Sequence, residues 1–141
     1  MGWAGFQELY KRKERFDIRL LARDSKKNHK MLDKYADDPS VAVIWGDLTR
    51  YEDVLAGVTG SDYVLHVGGM VSPAADYYPE KTLKVNVLAA ENVVKAVQAQ
   101  TNSDDIKVVY IGSVAQYGDR NPPYHWGDVN EPQTPAKFDM Y

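Results

Sequence analysis

The chain has 141 residues, with 17 lysines and arginines against 20 aspartates and glutamates, and it has no cysteine. This length fits one domain around a single core, and the net charge of -3 argues against a strongly basic nucleic-acid-binding surface. The absence of cysteine excludes disulfides and thiolate ligands, and no apolar run approaches the roughly 18 residues of a membrane span. We therefore expect a soluble, cytoplasmic domain without a nucleic-acid or membrane partner.

Short apolar runs alternate with helical patterns along the chain. The patterns predict helices at 5–16, 26–35, 49–55 and 79–100, and strands at 18–22, 41–45, 63–67 and 107–111. Continuous runs of β-branched and aromatic residues, such as 41–45, are typical of strands buried on both faces of a parallel sheet. The alternation predicts an α/β fold with right-handed crossovers between parallel strands.

The second half of the chain contains the longest predicted helix and the longest predicted loop. Pro79 lies in the first turn of the helix, where proline is favoured. Apolar residues recur along this helix at a spacing of 3.6 and predict its apolar face, formed by Leu83, Val87, Ala90, Val94 and Val97. After Gly112 the chain is rich in Gly, Pro, Asn and Asp without periodicity, which predicts a long functional or disordered loop.

Ligands of parallel α/β sheets bind at the carboxyl ends of the strands, so the residues that follow each strand are the candidates for a site. Arg23 follows the first strand, where a guanidinium can hold a phosphate through two hydrogen bonds. In dinucleotide-binding folds an arginine here accommodates the 2′-phosphate of NADP. Asp24, the next residue, leaves NAD open, and ordinary surface charge explains Arg23 equally well.

The ends of the second and third strands carry an Asp-Leu pair and two glycines. Asp47 can accept a hydrogen bond from an adenine amino group and Leu48 can pack on the ring, although a helix cap explains this aspartate equally well. Gly68 and Gly69 allow the backbone to approach a ligand closely, because a Cβ would block it. His66, just before them, is expected to be a hydrogen-bonded structural residue rather than an acid or base.

Ser113 follows the last strand, and Tyr141 is the final residue. A serine hydroxyl at a strand end can bind a substrate oxygen, and a tyrosine serves as a general acid or base when a cation lowers its pKa from about 10. Taken alone, the two residues are expected to be a turn serine and a surface tyrosine. His29, His66 and His125 lack the spacing of metal ligands, so no metal site is predicted. A G-x-S-x-G hydrolase elbow is also absent.

Five segments, in order, resemble those of the extended short-chain dehydrogenase/reductase family, also called the NAD-dependent epimerase/dehydratase family. They are R-L-L-A-R-D, W-G-D-L-T-R, Y-V-L-H-V-G-G, V-N-V-L-A-A-E-N-V-V and V-V-Y-I-G-S-V-A-Q-Y-G. The resemblance covers nearly the whole chain. It implies a Rossmann-like, doubly wound parallel sheet in a three-layer α/β/α arrangement, with NAD or NADP as the cofactor.

The resemblance also implies roles for individual residues. The family's catalytic serine and tyrosine match Ser113 and Tyr141: the serine holds a substrate oxygen, the tyrosine moves a proton to or from it, and the nicotinamide exchanges hydride at the same carbon. The implied substrate is a nucleotide sugar or another small molecule with a hydroxyl or carbonyl group. The positions that match the family's cofactor-binding residues are Gly2, Arg23, Asp47, Leu48, His66, Val67, Gly68, Gly69 and Asn86.

The chain departs from the family's pattern at both ends. The family starts with a strand and a glycine-rich phosphate turn, of which Gly2 matches the last glycine. The family's tyrosine is followed four residues later by a lysine, and then by a substrate-binding segment. Residues 1–141 are therefore expected to be a partial NAD(P)-binding domain that lacks a central first strand and, as a fragment, has little activity. We expect such a chain to be poorly folded or to aggregate, and we expect the longer protein to be a homodimer.

Two other interpretations remain open from the sequence. The first is a non-catalytic NAD(P)-binding sensor or interaction domain on the same fold, since a fold does not determine a function. The second is an inactive fragment that arises from an incomplete gene model. The presence of Ser113 and of a tyrosine at the family's spacing favours the enzyme over the sensor.

Overall fold

The computed structural model describes residues 1–118 and 128–136. The four strands are β1 (Ile18–Ala22), β2 (Val41–Trp45), β3 (Tyr63–His66) and β4 (Lys107–Tyr110). The helices are α1 (Gly2–Tyr10), α2 (Lys26–Leu32), α3 (Tyr51–Val58), α4 (Ala74–Tyr77), α5 (Pro79–Leu83) and α6 (Ala89–Gln98). A π-helical turn, Lys84–Leu88, joins α5 to α6, and 3₁₀ turns occupy Asp33–Tyr35 and Val114–Tyr117. The strands lie where the sequence predicts them, and Ser25 caps α2 as expected, because its Oγ accepts from the Asn28 amide.

All strand pairing in the described residues is parallel. β1 pairs with β2 in the register Ile18↔Val41, and β3 pairs with β4 in the register Tyr63↔Lys107. Within residues 1–118 and 128–136 these pairs form two separate two-stranded sheets, so one long edge of β1 and one of β3 carry no described partner strand. The parallel pairing and the helical connections confirm the α/β class that the sequence predicts.

Helices cover both faces of the β1–β2 pair. On one face, buried Phe6 of α1 and Leu32 of α2 pack with Ile18 and Val41. On the other face, Leu21 of β1 packs against a second core that α3 and α6 supply. Because successive strand residues point to opposite faces, β1 contributes to both cores and lies in the middle layer of three.

The second core lies between α3 and α6 and reaches both sheets. Its fully or nearly fully buried members are Val54, Val58, Val93, Ala96, Val97 and Ile106. Leu21 of β1 and Val64 of β3 pack against it from the two strand pairs. Burial of these side chains from water is the main force that holds the two pairs in one domain. None of the helices in the described ranges is long and apolar enough to cross a membrane.

The predicted apolar face of the long helix is largely wrong, although one of its members, Val97, is buried. Leu83, Val87 and Val94 are 62%, 47% and 53% exposed, whereas the buried face consists of Ala89, Asn92, Val93, Ala96 and Val97. Valines occur on both faces of this helix, so apolar spacing alone does not select the face that packs on the core.

The first helix begins and ends earlier than its sequence pattern predicts. α1 ends at Tyr10, and the basic residues that follow form turns. Lys13 lies beyond the helix and reaches Asp38, whose carboxylate it contacts at 2.5 Å. Tyr10 donates a hydrogen bond to the same carboxylate at 2.7 Å, and Ser40 donates to its other oxygen. Lys13, followed by Ser40 and Tyr10, holds the pKa of Asp38 well below its usual range, so this ionised carboxylate fastens the end of α1 to the turn before β2.

The exposed strand surfaces predict concentration-dependent self-association of the 141-residue chain. The edges of β1 and β3 that have no partner strand within residues 1–118 and 128–136 leave backbone groups open to pairing. Leu65 of β3 is 47% exposed on the face opposite Val64. We expect oligomers to grow between about 1 μM and 1 mM, measured by size-exclusion chromatography with light scattering. Leu65→Lys should shift the growth to higher concentration. A chain that stays monomeric over the whole range would contradict this expectation.

Candidate functional site

The end of β2 is fixed by hydrogen bonds of two aspartates. Asp47 Oδ1 accepts from the amide and the hydroxyl of Thr49, both at 2.8 Å. The Asp47 amide in turn donates to Asp53 Oδ2 of α3 at 2.8 Å. The Thr49 hydrogen bonds, assisted by the nearby charges of Arg23 and Lys84, lower the pKa of Asp47, so this carboxyl is ionised at neutral pH.

The sequence allows two roles for Asp47, a cap of the following turn and an acceptor for an adenine amino group, and its hydrogen bonds are compatible with both. The two Thr49 bonds fall on one oxygen and stabilise the turn, as a capping aspartate would. Asp47 Oδ2 accepts no hydrogen bond from residues 1–118 or 128–136, so it remains available to a ligand donor. The register Ala22↔Trp45 places the ends of β1 and β2 side by side, and the charges of Arg23 and Lys84 help to lower the pKa of this carboxyl.

A buried asparagine holds Leu48 over the end of β3. Asn92 of α6 is only 3% exposed, and its Nδ2 donates to the Leu48 carbonyl oxygen at 2.9 Å. The Leu48 side chain lies directly on Gly68, where a Cβ would overlap the Leu48 Cδ1 methyl. The absence of a side chain at Gly68 therefore lets the segments after β2 and β3 come into contact.

Asn86 shapes the loop that follows β3. Its Oδ1 accepts from the Met70 amide at 2.7 Å, and its Nδ2 donates to the Met70 carbonyl oxygen at 3.0 Å. A Cβ added to Gly69 would lie 3.2 Å from Asn86 Oδ1, closer than side chains normally approach. Asn86 belongs to the π turn Lys84–Leu88, and π turns inside helices are frequent at functional sites.

Gly2 and Val67 also meet at this end of the sheet. A Cβ built on Gly2 would contact Val67 Cγ2 at 3.4 Å, so the start of α1 lies against the residue that follows β3. The first amides of a helix carry partial positive charge and favour anions. The contacts thus connect the predicted residues Gly2, Asp47, Leu48, Val67, Gly68, Gly69 and Asn86 around the ends of β2 and β3, with Arg23 near Asp47.

The side chain of His66 is buried and packed against an aromatic ring. Its side chain is 6% exposed, and its ring stacks on Tyr110 of the paired strand at 5.5 Å between centroids. Burial lowers the pKa of His66, so the imidazole is neutral at neutral pH. Burial and stacking agree with the expected structural role, but within residues 1–118 and 128–136 the side chain makes none of the expected hydrogen bonds. A part of His66 in cofactor binding stays a prediction.

Ser113 lies in a turn of its own. Its Oγ accepts from the Ala115 amide at 3.1 Å and caps the 3₁₀ turn Val114–Tyr117, which leaves the hydroxyl hydrogen free to donate. Within residues 1–118 and 128–136, no side-chain hydrogen bond connects Ser113 to the residues around the ends of β2 and β3. The loop is held from the other side, where Thr134 Oγ1 donates to the Tyr117 carbonyl oxygen at 3.1 Å. Tyr141 lies outside the described residues, so its pairing with Ser113 stays a prediction.

Two residues that hold the site were missed by the sequence reasoning. Asn92 lies between Glu91 and Val93 in α6, and the sequence gives no sign that this polar side chain is buried. Asp53 reads as an ordinary acidic residue in the first turn of α3, where acids are favoured. Its bond to the Asp47 amide depends on Gly46, because a Cβ there would lie 2.6 Å from Asp53 Cβ.

Removal of the Asn92 amide should destabilise the domain and loosen the site. We expect Asn92→Ala to lower the free energy of unfolding by about 1 to 3 kcal/mol, because it leaves the Leu48 carbonyl oxygen without its donor. Gln98→Ala on the exposed side of α6 is the matched control and should change it by less than about 0.5 kcal/mol. Urea unfolding of the dilute chain measures both. Equal effects of the two substitutions would contradict the role given to Asn92.

The buried imidazole of His66 predicts a pH dependence of stability. Because its pKa is lowered in the folded chain, the unfolded chain binds the extra proton as pH falls below the ordinary histidine pKa of about 6.5. The stabilisation is therefore complete above that pH and is lost as pH falls. His66→Phe keeps the stacking on Tyr110 and should remove this part of the pH dependence. Urea midpoints of both proteins between about pH 5.5 and 7.5 test this, and parallel curves would contradict it.

Comparison with known proteins identifies the family. A model of the NAD dependent epimerase/dehydratase family matches residues 3–137. A UDP-glucose 4-epimerase of Rickettsia massiliae (strain Mtu5) is 33% identical over 81 residues, and that of Rickettsia canadensis (strain McKiel) is 35% identical over 81 residues. Each match covers 57% of this chain and 24% of the relative.

A solved structure shares the fold. The chain in "X-ray structure of Pen from Bacillus thuringiensis" superimposes with a TM-score of 0.53 at 26% sequence identity, over 58% of this chain and 26% of that chain. This neighbour supports the Rossmann-like arrangement of parallel strands and helices that the resemblance implies. Since the family match extends over nearly all 141 residues, the chain belongs to the NAD-dependent epimerase/dehydratase family.

Proposed function

We propose that the residues around the ends of β1, β2 and β3 form the dinucleotide cleft of an NAD(P)-dependent epimerase, dehydratase or reductase. The substrate we propose is a nucleotide sugar or a similar molecule with a hydroxyl or carbonyl carbon. Family membership supports the coarse activity, and relatives that are UDP-glucose 4-epimerases favour the nucleotide sugar. The matched region spans 24% of those relatives, so the activity of the whole protein is part of this proposal.

The observation that carries the proposal is that side chains from the long helix fix the backbone after two different strands. Asn92 holds the Leu48 carbonyl, and Asn86 holds both backbone groups of Met70. Between these fixed points Leu48 packs on Gly68 and Asn86 packs on Gly69, which requires glycine at both positions. This close packing gathers Leu48, Asn86 and the two glycines at the carboxyl ends of parallel strands, where dinucleotides bind.

The residues present fit an adenine nucleotide by their chemistry. Asp47 keeps one carboxylate oxygen for the adenine amino group, and Leu48 offers an apolar surface to the ring. Arg23 supplies a cation for a ribose phosphate. The start of α1, with Gly2 against Val67, provides amide groups and a positive dipole end for the pyrophosphate. His66, Gly69 and Asn86 complete the cofactor-binding set as proposed neighbours of the ribose and nicotinamide.

The catalytic pair in this proposal is Ser113 and Tyr141. Ser113 accepts a hydrogen bond from the Ala115 amide, which fixes its Oγ and leaves its O–H to donate to a substrate oxygen. Tyr141 moves a proton to or from that oxygen. The bound nicotinamide supplies hydride transfer at the neighbouring carbon. Ser113 thereby orients the substrate and Tyr141 provides the acid–base step.

Direct binding of NAD and NADP tests the cleft. Trp45 closes β2 two residues before Asp47, so its fluorescence reports on this edge of the sheet. We expect cofactor to change the tryptophan emission at millimolar concentration or below. Asp47→Ala should weaken binding about tenfold, because it removes a charge-assisted hydrogen bond.

The matched control is Asp62→Ala. Asp62 is exposed and precedes β3 at the opposite, amino end of that strand, so its removal should leave affinity unchanged. No response to either dinucleotide at millimolar concentration would contradict the proposed cleft. An equal loss in both variants would show that binding does not involve the end of β2.

A further inference from the structure

His29 is held at the cleft edge by three different segments. Its ring stacks on Trp45 at the end of β2, with 3.9 Å between ring centroids and an interplanar angle of 23°. Its Nε2 lies 2.9 Å from Asp24 Oδ1, in the segment after β1. Its Nδ1 lies 3.4 Å from Asp33 Oδ1, where α2 ends. The imidazole therefore touches the same strand end that carries Arg23.

Arg23 and Asp24 favour opposite cofactors at this position. A carboxylate beside the adenosine ribose accepts from the 2′-OH of NAD and repels a 2′-phosphate, whereas a guanidinium binds the phosphate of NADP. The sequence places both groups next to each other and leaves the choice open. The structure distinguishes the two residues, because Asp24 Oδ1 is already paired with His29 Nε2.

We propose that His29 sets the cofactor preference of this cleft in favour of the 2′-phosphorylated dinucleotide. By pairing with the Asp24 carboxylate, His29 withdraws one of its oxygens from the ribose and offsets its negative charge. Arg23 is then left as the group that meets the substituent at the ribose 2′ position. This inference rests on the proposed function, since it requires that a dinucleotide binds at the ends of β1 and β2.

The preference depends on the proton of His29. The charged groups that face the imidazole are Asp24 after β1 and Asp33 at the end of α2, while Trp45 of β2 presents an uncharged ring. The hydrogen bond that His29 donates to Asp24, followed by the one it donates to Asp33, raises the pKa of His29 above its ordinary value. Protonated His29 balances these carboxylates at lower pH. As pH rises through its pKa the positive charge is lost, the carboxylates remain, and repulsion of a 2′-phosphate increases.

The effect is modest because the pair is in contact with water. The side chains of His29 and Asp24 are 41% and 77% exposed. Exposed pairs are screened by solvent and salt, so a change of about threefold in relative affinity is expected rather than several orders of magnitude. Stacking on Trp45 limits the motion of the imidazole and keeps its Nε2 directed at Asp24.

The test is the ratio of NADP to NAD affinity, measured by calorimetry between about pH 5.5 and 8 at low salt. The unchanged chain should prefer NADP, with a ratio that falls about threefold as His29 loses its proton. His29→Gln should have a lower ratio without this fall. Lys30→Gln is the matched control, since it removes a positive charge from the same helix, and it should keep the fall in the ratio. Ionisation of the 2′-phosphate near pH 6 is common to all three proteins.

A second readout does not need the cofactor. The pKa of His29, followed by NMR of its ring, should fall when Asp24→Asn removes its main partner. An unchanged pKa, or a His29→Gln variant whose affinity ratio equals that of the unchanged chain at every pH, would overturn the inference while leaving the proposed function intact. Failure of both dinucleotides to bind would overturn the proposed function, and the inference with it.

Discussion

The packing of α3 against α6 holds the candidate site together. Val54 and Val58 of α3 meet Val93, Ala96 and Val97 of α6, and Leu21 of β1 and Val64 of β3 pack on this core. Because the described strands of the two pairs do not hydrogen-bond to each other, this apolar contact is what keeps the carboxyl end of β2 beside that of β3. Apolar burial is strong but has no direction, so it brings the loops together without fixing how they meet.

Polar side chains of the same helical segment fix the orientation of the loops after β2 and β3. Asn92 points into the core face of α6 and fixes the Leu48 carbonyl, and Asn86 in the π turn fixes the Met70 backbone. The two asparagines lie six residues apart and point to different sides of the helix, so that one faces the segment after β2 and the other faces the loop after β3. The arrangement orders a binding surface before any ligand arrives, which reduces the entropy lost on binding.

The sequence predicted much of this fold because strands and caps are local signals. The β-branched run Val41–Trp45 and the cap at Ser25 lie where the pattern places them. The family resemblance also selected Asp47, Gly68 and Asn86, which the structure brings to one edge of the sheet. Their roles toward a cofactor remain proposals.

Other features could not be read from the pattern for physical reasons. Val87 and Val94 of the predicted apolar face are exposed, since the helix carries valines on both faces and the sequence does not show which face packs on the core. Asn92 and Asp53 act through backbone groups that are distant in sequence. The sequence shows His29 as an isolated histidine. Trp45 becomes its neighbour only through the β1–β2 pairing, and Asp24 through the turn that leads into α2.

The central claim is that a dinucleotide binds where the ends of β1, β2 and β3 meet. Backbone amide shifts of the ¹⁵N-labelled chain, recorded with increasing NADP, test it most directly. The account predicts that the largest changes fall on Arg23, Asp47, Leu48, Gly68 and Gly69, and that residues before the strands, such as Asp62, stay unchanged. Changes confined to other surfaces, or none at millimolar NADP, would contradict it.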